Sequence, residues 1–138
     1  EAERRKQEAD ERQAKIDAIE GVAELETAIA DFNKACKDYE TKIEWYIYDG
    51  RCSKDFQPEK YPSASKVLAL RKKYPKAVAY LKAKKWSESI SARQALFGTR
   101  ATERILNGED YEQVIAEMER DELLDSRARD VLEQPRSR

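Results

Sequence analysis

The sequence predicts an all-α fold: an elongated helical bundle built on a long, coiled-coil-like N-terminal helix followed by about four shorter helices. Three observations carry this. The 138-residue chain holds only four Gly and four Pro and is rich in Ala, Glu, Lys, Leu and Arg, which favours long helices over sheets. Val22, Leu25, Ile29, Phe32, Cys36, Tyr39, Ile43 and Tyr46 alternate spacings of three and four, the a and d positions of successive heptads. Charged residues make up 40% of the chain and the mean hydropathy is −0.93, so much of the molecule must stay wet, which argues for an extended shape over one compact globule.

The first element is read as one helix over residues 3–48. Gly21 interrupts it at a helix cost of about 1 kcal/mol, tolerable in so long an element, and marks a change of heptad phase where a kink is expected. Upstream of it, residues 1–21 form a charged arm with almost nothing larger than Ala to bury before Ile16 and Ile19; the arm is expected to be exposed or partner-binding. Residues 22–133 are expected to form the bundle domain. The seam of residues 22–46 needs a cover, either a second copy or the chain's own later helices. Phe32, Tyr39 and Tyr46 are bulky for a two-stranded coil, so the expected cover is intramolecular: Leu68, Leu81, Leu96, Ile105, Val114 and Met118, with self-association left to the N-terminal helix's arm.

Residues 49–62, with Gly50, Pro58 and Pro62, read as an irregular connection pinned by Phe56 and Tyr61. Ser63 or Ser65 caps the helix SKVLALRKKY. Pro75 ends that helix and opens the next, which runs to about Trp86. Ser87 or Ser89 is expected to cap a further helix through ISARQALFGTRATERIL, stopped by Asn107 and Gly108. Asp110 and Gln113 have capping-box spacing for a last helix, which fades into a polar tail at residues 134–138. The segment IEWYIY (residues 43–48) has β propensity but keeps the heptad phase, and phase is the better guide.

Charge is divided along the chain. Residues 1–50 carry 8 basic and 14 acidic side chains (−6), residues 51–105 carry 14 and 4 (+10), and residues 106–138 carry 5 and 10 (−5). The basic centre is densest in LRKKYPKAVAYLKAKKW (residues 70–86). The candidate surface for nucleic acid or an acidic partner is Arg71, Lys72, Lys73, Lys76, Lys84, Arg93 and Arg100. A plainer reading has the same cations complementing the acidic terminal helices, with the aromatics at Tyr74, Tyr80 and Trp86 serving as core or rim.

Chemistry is bounded by what is missing. The chain has no His, which removes the commonest general base and transition-metal ligand, and neither Cys36 nor Cys52 belongs to a C-x-x-C pair or lies near a phosphate-binding loop. The two cysteines can pair only if the chain after residue 49 folds back about four helical turns, so they are read as separate thiols. No catalytic residue, metal, cofactor or small-molecule substrate is expected. No apolar run is long enough for a bilayer and no signal-peptide pattern opens the chain, so a cytoplasmic, membrane-free protein is expected. The start EAERRKQEADERQ, without an initiator Met, is what a fragment or processed chain would show. The functional expectation is a non-catalytic helical interaction module (an adaptor, assembly factor or protein inhibitor) acting on a protein partner or a second copy. The alternative is a nucleic-acid-binding helical domain using residues 51–105.

Overall fold

The computed structural model describes residues 1–48, 50, 57 and 60–133, the last two by their backbone alone. Among these residues there are six α-helices and no strand: α1 (Ala2–Asp17), α2 (Val22–Tyr48), α3 (Ser65–Lys73), α4 (Pro75–Ser87), α5 (Ala92–Leu106) and α6 (Tyr111–Glu133).

The expected continuous helix over residues 3–48 is two helices. α1 stops at Asp17, where the Ala18 and Ile19 amides donate to the Ala14 and Ile16 carbonyls, and Gly21 adopts φ 85°. A left-handed residue cannot continue a right-handed helix, so Gly21, just before Val22, keeps α1 and α2 from joining into one helix where a kink was expected. Ile19 and Val22, on either side of this turn, are both buried.

The chain groups into two compact units. The first comprises Glu1–Val22 and Pro75–Arg138. In it α4 packs on α5 and α6, α5 packs on α6, and α1 lies on α5. α4 is covered around much of its circumference: Ala77, Ala79, Tyr80 and Ala83 are buried and Val78, Leu81 and Trp86 half-buried. The approach to α5 is close enough that a Cβ at Gly98 would stand 2.3 Å from the Ser87 amide nitrogen. Ala101, Thr102, Ile105 and Leu106 of α5 and Val114 and Met118 of α6 complete the buried set, with the Thr102 hydroxyl donating to the Gly98 carbonyl at 2.7 Å.

The helix ends of this unit show their causes. Ser91 caps α5, its hydroxyl accepting from the Gln94 amide, so the cap lies beyond the expected Ser87 or Ser89; Ser89 instead accepts the Ser91 amide and holds the turn. At the other end the Gly108 amide donates to Ile105 and the Glu109 amide to Arg104, with Gly108 at φ 89°, a Schellman stop. The Asp110 carboxylate accepts the Glu112 amide at the start of α6, while the Gln113 side chain turns to Glu117 rather than back into a capping box.

The second unit is Ala23–Tyr74. Leu25, Ala28 and Tyr39 of α2 are buried, as is Leu70 of α3, whereas Ile29, Phe32, Cys36 and Ile43 are only half-buried and Tyr46 is exposed. Two of the residues expected to cover the α2 seam, Leu68 and Leu96, are themselves exposed. Tyr61 packs edge-on against Tyr39 with ring centres 5.2 Å apart, and the Tyr39 hydroxyl donates to the Gln57 carbonyl at 3.5 Å, so Tyr61 and Gln57 both meet α2. Phe56 and Cys52 lie outside the described residues, and with them any pairing of Cys52 with Cys36.

Candidate interaction surfaces

The basic cluster is built by the short helix α3. The Ser63 hydroxyl accepts the Ser65 amide at 3.2 Å and the Leu68 amide bonds to Ala64, starting the helix. Pro75 ends it, since the residue before a proline is pushed out of the helical region, and Tyr74 sits at φ −123°, ψ 69°. Between these stops Leu70 is the buried anchor and Val67 is half-buried. The opposite side carries Leu68, exposed at 61%, with Lys72 one turn on and Arg71 flanking, whereas Lys66, one turn before Leu70, lies nearer the anchored side. Among the described residues no carboxylate lies within ion-pair distance of Lys66, Arg71 or Lys72. Lys73 is engaged, with Nζ 5.2 Å from the centre of the Tyr74 ring, and the Tyr74 hydroxyl donates to Glu24 Oε2 at 3.1 Å.

The other four candidate cations belong to the first unit. Lys76 is exposed in the first turn of α4, and Lys84, near its end, is half-buried and engaged by a neighbour. Arg93, in the first turn of α5, pairs with Asp125 of α6; Arg100, two turns along α5, is exposed without an ion pair among the described residues. Arg71, Lys72 and Lys73 thus share one helical turn, whereas Arg93 spends its charge inside its own unit.

Several carboxylates of the first unit are committed too. Arg104 bridges Glu109 at 3.0 Å and Glu117 at 2.5 Å, Lys82 pairs with Glu119, Arg12 with Glu103, and Asp125 receives Arg129 as well as Arg93. The hydrogen bond from Arg104, seconded by Gln113, holds the Glu117 carboxyl below the usual carboxylate range, and the same carboxylates raise the Arg104 guanidinium. Asp125 Oδ2 lies 3.3 Å from Arg129 Nε but without hydrogen-bond geometry, and Glu122 Oε2 is likewise buried without a hydrogen-bond partner among the described residues. No group of three or more Cys, Asp or Glu suited to hold a metal occurs among the described residues. None of their helices is long and apolar enough to cross a membrane.

A second surface escaped the sequence reading. At the end of α2, Trp45, Tyr46, Ile47 and Tyr48 are 56, 49, 65 and 79% exposed. Four consecutive residues at about 100° each span most of a helix circumference, so the last turn of α2 is apolar all round and cannot be covered from one side. That signal was available in the sequence, because a seam can use only Tyr46 of the four. In the second unit a hydrogen bond to Cys36, then burial, raises the Tyr61 phenol above its ordinary value of 10.0. In the first unit Leu123, Leu124 and Val131 of α6 are further exposed apolar side chains. Comparison of the chain with protein-family models, with curated proteins and with solved structures returns no match.

Proposed function

We propose that this chain is a non-catalytic helical interaction module that works by protein–protein contact, with the exposed end of α2 as its contact surface and a second copy of the chain as its first partner. The observation that carries the reading is the apolar last turn formed by Trp45, Tyr46, Ile47 and Tyr48. Trp and Tyr are the residues that dominate binding energy at protein interfaces. Aromatic side chains bury about 150–250 Å² each when fully covered, so the four exposed groups offer about half of the ~800 Å² that a standard interface takes from each partner. The half-buried heptad residues Ile29, Phe32, Cys36 and Ile43 extend the same helix's incomplete seam, and a second α2 can complete both in an isologous pair. An adaptor or assembly factor uses such a surface directly. The nucleic-acid reading of residues 51–105 draws its support from Lys66, Arg71 and Lys72, which have no ion pair among the described residues.

Sedimentation equilibrium over about 1–100 µM chain tests the proposal, since dimerisation follows mass action. The mean mass is expected to rise towards the dimer, and the double substitution Trp45→Ser with Tyr48→Ser to remain monomeric at unchanged helix content. A parent chain that stays monomeric over the whole range overturns the self-association.

A further inference from the structure

The exposed side of α3 is chemically unlike the end of α2 and makes a separate surface. A helix C-terminus carries the equivalent of about half a negative charge, which one cation more than offsets. The last turn of α3 carries three, Arg71, Lys72 and Lys73, with Lys66 a turn and a half before them, and no acidic residue occurs between Lys60 and Ser87. Even with Lys73 engaged on Tyr74, the helix keeps a surplus of positive charge that dipole complementation does not use. In the middle of that surplus stands Leu68, 61% exposed, one turn from Arg71 and Lys72, while Leu70 on the other side anchors the helix.

We propose that this side of α3, Leu68 framed by Arg71 and Lys72, is a docking site for an acidic amphipathic segment of a partner protein, with carboxylates on the cations and an apolar side chain on Leu68. Charge complementarity selects an anion. The exposed leucine selects between anions: a phosphate backbone has no use for an apolar side chain and takes cations alone, whereas an acidic helix presents a leucine one turn from its carboxylates. Arg71 and Lys72, the two cations on this side without an ion pair among the described residues, also release too few counterions for firm nucleic-acid binding near 100 mM salt, where about two phosphate contacts give a log–log salt slope of only about −2. Burial of Leu68 against a partner leucine adds a salt-independent component that lets the contact persist as electrostatics are screened.

Fluorescence anisotropy on the full chain at about 100 mM salt tests this with three labelled probes of equal charge: a glutamate-rich helical peptide with leucines at spacings of three and four, an oligoglutamate, and a single-stranded DNA oligomer. The leucine peptide is expected to bind about tenfold tighter than either other probe, a difference of about 1.4 kcal/mol. Leu68→Ser should abolish that advantage and leave oligoglutamate binding unchanged, while Arg71→Gln with Lys72→Gln should weaken both peptides about tenfold. All three positions are exposed, so the variants are expected to keep the parent's circular dichroism. DNA binding tighter than the leucine peptide, indifference to Leu68→Ser, or no binding of the leucine peptide at about 1 mM each overturns the proposal. The surface does not include residues 45–48, so the outcome is independent of whether the chain dimerises through them.

Discussion

At Gly98 a methyl group would meet the Ser87 amide nitrogen at 2.3 Å and the Trp86 carbonyl carbon at 2.6 Å, both backbone atoms that no rotamer change can move aside. Glycine in the middle of a helix ordinarily costs about 1 kcal/mol relative to alanine, so at an open position Gly98→Ala would stabilise α5. Here the overlap is larger than that gain, because relieving it means withdrawing the end of α4 from a packed face that includes Ala77 and Ala83, both fully buried. Gly98→Ala is therefore expected to lower unfolding free energy by about 2 kcal/mol or more in urea denaturation, and a neutral or stabilised variant would contradict so close an approach. The same small residues explain how α4 contacts its neighbours through alanines where larger side chains would hold the helices apart.

Between helices, Arg104 is the clearest tie, since one guanidinium reaches Glu109 in the turn and Glu117 on α6. Glu117 titrates below its ordinary value of 4.5, so its contribution to stability is complete above that pH and is lost as the pH falls through the lower folded value. Replacing Glu117 by Gln should flatten the fall in melting temperature below pH 4.5 and lower stability above it; a variant with the parent's acid profile would show that the pair is not formed in solution. Helices α3 to α6 were legible from their punctuation alone: Pro75 separates α3 from α4, Asn107 and Gly108 stop α5, and Asp110 opens α6. Ser91, not Ser87 or Ser89, caps α5 because α4 runs one residue past Trp86 and the intervening turn uses Ser89. The break after α1 was not legible, because a glycine inside a periodic pattern is compatible with either a tolerated defect or a left-handed stop, and only its φ of 85° separates the two. Of the candidate site, composition located the cations but not their partners: Arg93 and Asp125 are thirty-two residues apart in sequence, and no local pattern announces that pairing. Leu68 was assigned to the core because it is a leucine beside Val67 and Leu70; a helix as short as α3 buries one side, and Leu70 with Val67 already occupies it.

For the molecule as a whole, the first unit is assembled from both ends of the described chain, with residues 23–74 between its two parts. α1 joins it lightly: it buries no residue, and its ion pair from Arg12 to Glu103 leaves both side chains about half exposed. Exposed pairs of this kind contribute about 1 kcal/mol at most, so removing residues 1–15 should change the stability of a monomeric sample by less than that, and a larger loss in calorimetry would place α1 in the core. The contact between Arg12 and Glu103 nevertheless spans 91 residues. A ribosome adds about 5–20 residues per second, so α1 emerges some 5–18 seconds before its docking helix exists. During that interval it has no sticky face to shield, because its surface is charged nearly all round, and it can wait in solvent without recruiting a chaperone or a neighbouring nascent chain. The weakness of the α1 contact in the finished protein is thus the same property that makes its early appearance harmless.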